Sequence, residues 1–226
     1  MKKIHAVAID GPAGAGKSTV AKIVSRELGY IYVDTGAMYR AIALFFLKKG
    51  ISAEDRPAME AALPEIDVSI RYEDGAQKVL LNGEDVSGLI RTEEVGNMAS
   101  AASAFPPVRA KLLSLQRGLA EREPVVMDGR DIGTVVLPDA DTKIYLTASV
   151  EVRAKRRYKE LTEKGISCSL SEIAKDIEAR DWRDMHRETA PLKKADDAVL
   201  VDSSDMTLEE VCSTILAVVR GERYAR

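Results

Sequence analysis

The chain has 226 residues and a formal net charge of −3, with about half of its residues apolar and about a third charged. This is the composition of an ordinary globular enzyme, and it excludes a global positive field that would draw nucleic acid or an acidic membrane. The two cysteines, Cys168 and Cys212, stand far apart without metal-ligand spacing, so they read as reduced thiols rather than a disulfide framework. No apolar run approaches the length of a membrane span. The start, Met1-Lys2-Lys3 followed by Ile4 to Ile9, lacks the small-residue cleavage site of a signal peptide. A cytoplasmic protein that binds neither nucleic acid nor membrane is expected.

Ile4 to Ile9 is a short apolar run that suits an interior parallel strand. Lys17 to Leu28 sets Val20, Ile23, Val24 and Leu28 near one helical face, and Gly29 supplies a stop. Tyr30 to Val33 is a second strand. Met38, Ala41, Ile42, Phe45 and Phe46 then predict an amphipathic helix ending near Gly50. The pattern changes between Ile66 and Val86. Val68, Ile70 and Tyr72 alternate with polar residues, Lys78 to Leu81 is another strand, and Asp74-Gly75 and Asn82-Gly83 are turn signals. An antiparallel meander inserted into a βαβ chain is expected there.

Helical sequence runs from Thr92, breaks at Pro106-Pro107 and resumes over Val108 to Glu121. Val125 to Met127 and Lys143 to Leu146 predict strands, and two charged helices follow over Val150 to Lys164 and Ser171 to Arg187. Ser169 and Glu172 have capping-box spacing at the start of the second helix. Ala198 to Val201 is a last strand. Thr207 with Glu210 caps a final helix whose buried side carries Leu208, Val211, Cys212, Ile215 and Val219. Five strands separated by helices imply an α/β fold with a parallel, doubly wound sheet and helices on both faces.

Gly11-Pro12-Ala13-Gly14-Ala15-Gly16-Lys17-Ser18 fits G-x-x-x-x-G-K-[ST] at every defined position, with a strand before it and a helix after it. Phosphate oxygens need several backbone N–H donors converging on one point, which requires dihedrals that glycine tolerates best. The following helix adds its positive N-terminal end, Lys17 can bridge the β- and γ-phosphates, and the Ser18 hydroxyl is placed for Mg²⁺. A chance match has a probability on the order of 1% at ordinary glycine usage. The loop defines a fold family and a ligand class, not a reaction. A GTPase would carry an N-K-x-D segment, and neither Asn82 nor Asn97 begins one. A motor or transporter would usually be larger, so a kinase is favoured.

Three arginine-bearing segments are candidates for an acceptor site. Asp34 to Arg40 follows the second strand, where ligands bind in open parallel sheets, and offers Tyr39 and Arg40. Asp128-Gly129-Arg130-Asp131 ends another strand; Asp128 resembles the carboxylate that organises Mg²⁺ through water, and Arg130 suits a phosphate. Arg180, Asp184 and Arg187 lie on one helix face, as a solvated charge pattern would also have it. Arg153, Arg156 and Arg157 read either as a solvated face or as a mobile lid over the transferring group.

With these segments in this order the chain resembles bacterial cytidylate kinases, which phosphorylate CMP and dCMP. The resemblance is carried by Ile9 through Thr19, Asp34 through Arg40, Gly83 through Ser87, Ile90 through Val95, Asp128 through Val136, and Arg180 through Arg187 with Ala190-Pro191-Leu192. It implies the nucleoside-monophosphate-kinase version of the P-loop NTPase fold, as one domain over 1–226. The core would comprise about 1–35, 107–150 and 188–226, and a monophosphate-binding lobe with its β insert about 36–106. A short lid at about 151–170 would lead into helix 171–187. The resemblance also implies ATP as donor, held by Gly11 to Thr19, with Mg²⁺, CMP or dCMP as acceptor, and a monomer. Ser100, Arg109 and Asp131 would read cytosine, Arg180 and Asp184 would address the sugar, and Arg40, Arg130 and Arg187 would hold the acceptor phosphate. Thr35, where some members have Ser, would hydrogen-bond the acceptor beside Tyr39. Lys17, Arg130 and the lid arginines Arg153 and Arg157 would neutralise transition-state charge. Arg109 can donate to a carbonyl and a ring nitrogen, and Asp131 can accept from an exocyclic amine that cytosine has and uracil lacks. The residues alone leave open a kinase for UMP or a small metabolite, and a nucleotide-binding regulator without catalysis.

Overall fold

The computed structural model describes residues 5–73 and 75–222; Met1 to Ile4 and Asp74, which the sequence reading used, lie outside the described residues. The elements begin with β1 (Ala6–Asp10), α1 (Lys17–Leu28), β2 (Ile31–Asp34), α2 (Thr35–Lys48) and α3 (Arg56–Ala62). Next come β3 (Val68–Glu73), β4 (Ala76–Leu81), β5 (Glu84–Asp85), α4 (Glu93–Ala102) and α5 (Pro106–Ala120). The chain continues through β6 (Val125–Gly129), β7 (Thr142–Thr147), α6 (Val150–Glu163), α7 (Leu170–His186), β8 (Val199–Asp202) and α8 (Leu208–Arg220).

Five parallel strands form one sheet in the order β2-β6-β1-β7-β8, and β3-β4-β5 form a separate antiparallel sheet. The parallel sheet is buried on both faces, so its strands read as continuous apolar runs whose side chains alternate between two cores. Val7 and Ile9 of β1, Val126 of β6 and Tyr32 of β2 join α1 and α8 on one face. Ala8, Val33, Val125 and Met127 join α2, α4 and α5 on the other. The insert closes this second core through Val68, Val79 and Leu81. Burying a Val, Leu, Ile or Met side chain contributes about 2 kcal/mol, so both layers are anchored chiefly by these contacts.

The helix at Lys17 to Leu28 and its Gly29 stop (φ 67°) are found as predicted. The turn at Asn82-Gly83 has φ of 50° and 85°, the left-handed pair that a tight hairpin demands. Four expectations change. Helix α2 starts at Thr35 rather than Met38, because the Asp34 carboxylate accepts the Ala37 N–H at 2.8 Å and caps the helix there. Pro106 and Pro107 open α5 instead of breaking it, since a first helical turn needs no N–H from either residue. The Ser169/Glu172 capping box does not form: the Ser169 hydroxyl pairs with that of Ser171 at 2.9 Å. Leu208, expected on the buried side of α8, is 41% exposed at the helix's first residue, whereas Val211, Cys212 and Ile215 are buried. Helix α3 and a π-turn at Ile132–Val136 had no periodic signal.

The Thr207/Glu210 capping box does form, with each side chain bonded to the other residue's backbone. Thr207→Ala is therefore expected to lower stability by about 1 kcal/mol in urea unfolding. Ser169→Ala, whose cap is absent, is expected to change it by less than about 0.5 kcal/mol.

Candidate active site

The P-loop leaves the carboxyl end of β1 and wraps onto the first turn of α1. Gly11, Gly14 and Gly16 have φ of 151°, 76° and 86°, conformations open to glycine. A Cβ on Gly11 would lie 1.9 Å from the Leu146 carbonyl oxygen, so no other residue fits there. The N-cap Gly16 offers no side-chain acceptor and the first turn of α1 holds no acid, which leaves its N–H groups free for an anion. Lys17 is buried and donates to the Pro12 carbonyl at 2.7 Å. Burial, followed by the Arg130 charge, lowers its ammonium to about 7, against the pull of Asp128 and Asp10.

Three buried carboxylates stand behind the loop. Asp128, at the end of β6, accepts from the Ser18 hydroxyl at 2.9 Å and the Tyr32 hydroxyl at 2.8 Å. Burial, then the neighbouring Asp34, raises it to about 6. The Thr35 hydroxyl, expected at the acceptor, donates to the Asp128 carbonyl oxygen at 2.7 Å. Asp10 accepts from the N–H groups of Ile132 and Gly133 at 2.8 and 2.7 Å, pinning the π-turn to β1; burial raises it to about 6 against those bonds. Asp34 accepts from Arg40 Nη2 at 3.3 and 3.4 Å, and a Cβ at Gly36 would lie 3.2 Å from both groups, a tight contact that would press on the pair.

A cleft of about 550 Å³ runs from the P-loop to the far ends of α4, α5 and α7. It gathers Lys17, Ser18, Thr19, Thr35, Tyr39, Arg40, Ser100, Arg109, Asp128, Arg130, Asp131, Arg153, Arg157, Arg180, Asp184 and Arg187 around one space. At its far end the buried Arg109 pairs closely with Asp131 and donates to the Ser103 carbonyl at 3.3 Å. Its guanidinium lies 5.6 Å from the centre of the Tyr39 ring. Arg187, predicted at the acceptor phosphate, lies 3.6 Å from Asp131 and donates to the Ala190 carbonyl at 2.8 Å. Ala190 has φ 49°, a strained value for a non-glycine residue, which costs about 1 kcal/mol. Midway, Arg130 Nε donates to Asp184 at 2.8 Å, and Arg180 donates to the Gly96 carbonyl at 3.3 Å. Burial works to raise Asp184, yet Arg130 and its other cationic neighbours hold it below the usual carboxylate range. Arg40 Nε, Arg180 Nε and Arg187 Nη2 are buried donor atoms without a hydrogen-bond partner.

The lid arginines differ from one another. Arg153 is 4% exposed, and its fork is spent on the carbonyls of Ala148 (2.8 Å) and Ala13 (2.9 Å) and on Asp181 (2.7 Å). It ties α6 and α7 to the P-loop instead of waiting on a solvated face. Arg157 pairs with Glu160 at 2.9 Å on the half-exposed side of α6. Arg156, bound to the Ser203 carbonyl at 2.7 Å, lines both the cleft and a second cavity of about 270 Å³. That cavity is walled by Gly16, Thr19, Ser203, Met206 and Leu208; of these Ser203 and Met206 carried no sequence signal, and Leu208 was read only as a buried residue of the last helix. Tyr32 was also missed, being indistinguishable from a core tyrosine in a short strand. Among the described residues no three or more His, Cys, Asp or Glu cluster as a metal cage, and no helix is long and apolar enough to cross a membrane.

A family model described as cytidylate kinase matches residues 7–221. A cytidylate kinase of Lactobacillus johnsonii is 51% identical over 217 residues, covering 96% of this chain and 94% of that one. That of Bacillus licheniformis is 51% identical over 221 residues, covering 97% of both chains. Among solved structures, an uncharacterized protein from Eubacterium ventriosum aligns with a TM-score of 0.52 and 13% identity, over 97% of this chain and 100% of that one. That likeness reaches the fold alone. Sequence along nearly the whole chain and the phosphate-binding geometry agree, and the chain belongs to the cytidylate kinase family.

Proposed function

We propose that the protein transfers the γ-phosphoryl group of ATP to CMP or dCMP, giving ADP and CDP or dCDP. The observation that carries this reading is one cleft with a phosphate loop at one end, a buried Arg109–Asp131 pair at the other, and unpartnered arginine donor atoms on its walls. Membership of the family supports the acceptor.

The donor phosphates lie on the N–H groups of the P-loop and α1, with Lys17 between the β- and γ-phosphates. Its adenine takes the second cavity, which continues from Gly16 and Thr19 past Arg156. The acceptor phosphate takes the donor atoms that Arg40 and Arg130 do not spend on Asp34 and Asp184, which keep the two guanidinium groups in place, and Arg153 and Arg157 close the donor side. Asp131 accepts from the cytosine amine, Arg109 and Ser100 face the carbonyl edge, and Arg180 with Asp184 takes the sugar. Little proton chemistry is needed: catalysis rests on alignment and on cations that match charge spreading over the transferring group. The hydroxyl–carboxylate pair Ser18–Asp128, 2.9 Å apart, is a hard-oxygen site that fits Mg²⁺ held by one hydroxyl, phosphates and water. Mg²⁺ there would neutralise charge on the β- and γ-phosphates. The core, lobe and lid divide as the family pattern has it, supported by the separate sheet of the insert and the paired helices α6 and α7. Both halves of the cleft come from one chain, so the reaction needs no residue from a second copy.

The deciding experiment is ADP production in a coupled assay with CMP, dCMP, UMP, AMP and GMP as acceptors. CMP and dCMP are expected to be turned over far faster than UMP; no ADP with either cytidylate overturns the reading. Lys17→Ala should lower kcat on the order of 100-fold or more with the fold intact. Arg109→Ala and Asp131→Ala should raise the KM for CMP at least about 10-fold while leaving that for ATP nearly unchanged; equal effects on both count against base reading.

Proton uptake gives an independent check on Lys17. Its ammonium sits at about 7 in the free protein, so most molecules carry it neutral at pH 8. Phosphates stabilise the charged form and raise that value, so binding draws in a proton. Metal-free ATP at pH 8, titrated calorimetrically in buffers of different ionisation enthalpy, should bind with uptake approaching one proton. Asp10 and Asp128, at about 6, are ionised at pH 8 in the free protein, but the same phosphates raise them too, so Lys17→Ala, which keeps both, is the control that isolates the lysine's share of the uptake. Net proton release is the contrary result.

A further inference from the structure

Strand β2 is one of the two outer strands of the parallel sheet. Successive residues of a parallel strand turn both backbone groups to opposite sides. Ile31 turns toward β6 and donates to the Pro124 carbonyl at 2.9 Å, so Tyr32 and Asp34 turn toward the open edge. An uncovered edge of this kind is normally blunted or covered. Here it is covered by side chains from one rung of the insert, Tyr72 of β3 facing Gln77 of β4. The Tyr72 hydroxyl donates to the Tyr32 carbonyl at 3.0 Å. Gln77 Oε1 accepts from the Asp34 N–H at 2.8 Å, and its Nε2 donates to the Asp34 carbonyl at 3.3 Å. The amide of Gln77 thus stands where a neighbouring strand's peptide would be.

Asp34 is the residue whose carboxylate caps α2 and holds Arg40 at 3.3 Å. Its backbone is held by the insert and its side chain holds a cleft arginine. We propose that Gln77 is a positioning residue for the acceptor phosphate, setting the orientation of Asp34 and through it that of Arg40. This rests on the reading of Arg40 as an acceptor-phosphate ligand. The insert then does more than close a core: it sets the acceptor end of the site from outside the cleft, while Tyr72, on the neighbouring latch, bears on Tyr32 and the donor side.

The test is steady-state kinetics of Gln77→Met, which keeps the side-chain length and removes both hydrogen bonds, beside Tyr72→Phe, Arg40→Ala and the double variant Gln77→Met/Arg40→Ala. Gln77→Met should raise the KM for CMP roughly 3- to 10-fold, the worth of one or two hydrogen bonds. The KM for ATP should stay within about twofold, Tyr72→Phe should leave the KM for CMP within about twofold, and the Gln77→Met effect should vanish in the Arg40→Ala background. A general loosening of the insert would move both KM values and would add to Arg40→Ala; that pattern, or an unchanged KM for CMP, overturns the proposal. An Arg40→Ala enzyme with an unaltered KM for CMP would instead strike at the acceptor reading of Arg40 itself.

Discussion

A cleft made for several phosphates has to hold its cations together when no phosphate is there. Two guanidinium groups about 5 Å apart repel by roughly 3 kcal/mol at an effective dielectric of about 20. Burying either one unpaired costs several kcal/mol more. Most cleft arginines therefore meet a carboxylate, among them Arg40 on Asp34, Arg109 on Asp131, Arg130 on Asp184 and Arg153 on Asp181. Among the described residues Arg156 is bound to Ser203 instead, and Arg180 has only a carbonyl and a buried Nε without a hydrogen-bond partner. These pairs make the empty site stable, and they also hold the guanidinium groups close to their working positions before substrate arrives.

The same arrangement explains why so many acidic groups sit at strand ends. Asp10 and Asp34 end β1 and β2, and Asp128 is the penultimate residue of β6, where the parallel sheet delivers its chain to the cleft and helix N-termini offer N–H donors. Burial raises Asp10 and Asp128 to about 6, and only the surrounding N–H, hydroxyl and ammonium groups keep them that low. Lys17 is moved the other way, to about 7, by the same dry environment. A lysine so poised is stabilised by an incoming polyphosphate more than a solvated one would be, because the charge it gains is no longer compensated by water.

The legibility of the sequence followed the range of the interaction. Local features were readable: the P-loop, the helix from Lys17 with its Gly29 stop, the Asn82-Gly83 turn and the Thr207/Glu210 cap are each written in one short continuous segment. Ser169/Glu172 shows the limit even there, since a hydroxyl has a choice of partners and took Ser171. Pairings across the chain left no local trace. Arg130 with Asp184 and Arg153 with Ala13 are joined by folding alone, so a helix face reading plus, minus, plus looked equally like a solvated surface. Tyr72 read as part of the apolar alternation of an insert strand and Leu208 as a buried residue of the last helix, while Gln77 and Met206 carried no signal. Their places at the cleft follow from strand order, which periodicity does not encode.

The insert shows how edge chemistry and site chemistry become one problem. An outer parallel strand must satisfy backbone groups that face away from its neighbour, and an extra strand would do so while giving no control over any single residue. Side chains from a separate hairpin satisfy them at chosen points, here at Tyr32 and Asp34. Those are the residues whose own side chains reach Asp128 and Arg40. A shift of the hairpin along β2 would be felt at both ends of the cleft, because each latch sits one side chain away from a phosphate-handling group. Covering an aggregation-prone edge and aligning two substrates thus impose the same register on the hairpin, which is sufficient reason for the insert to pack where it does.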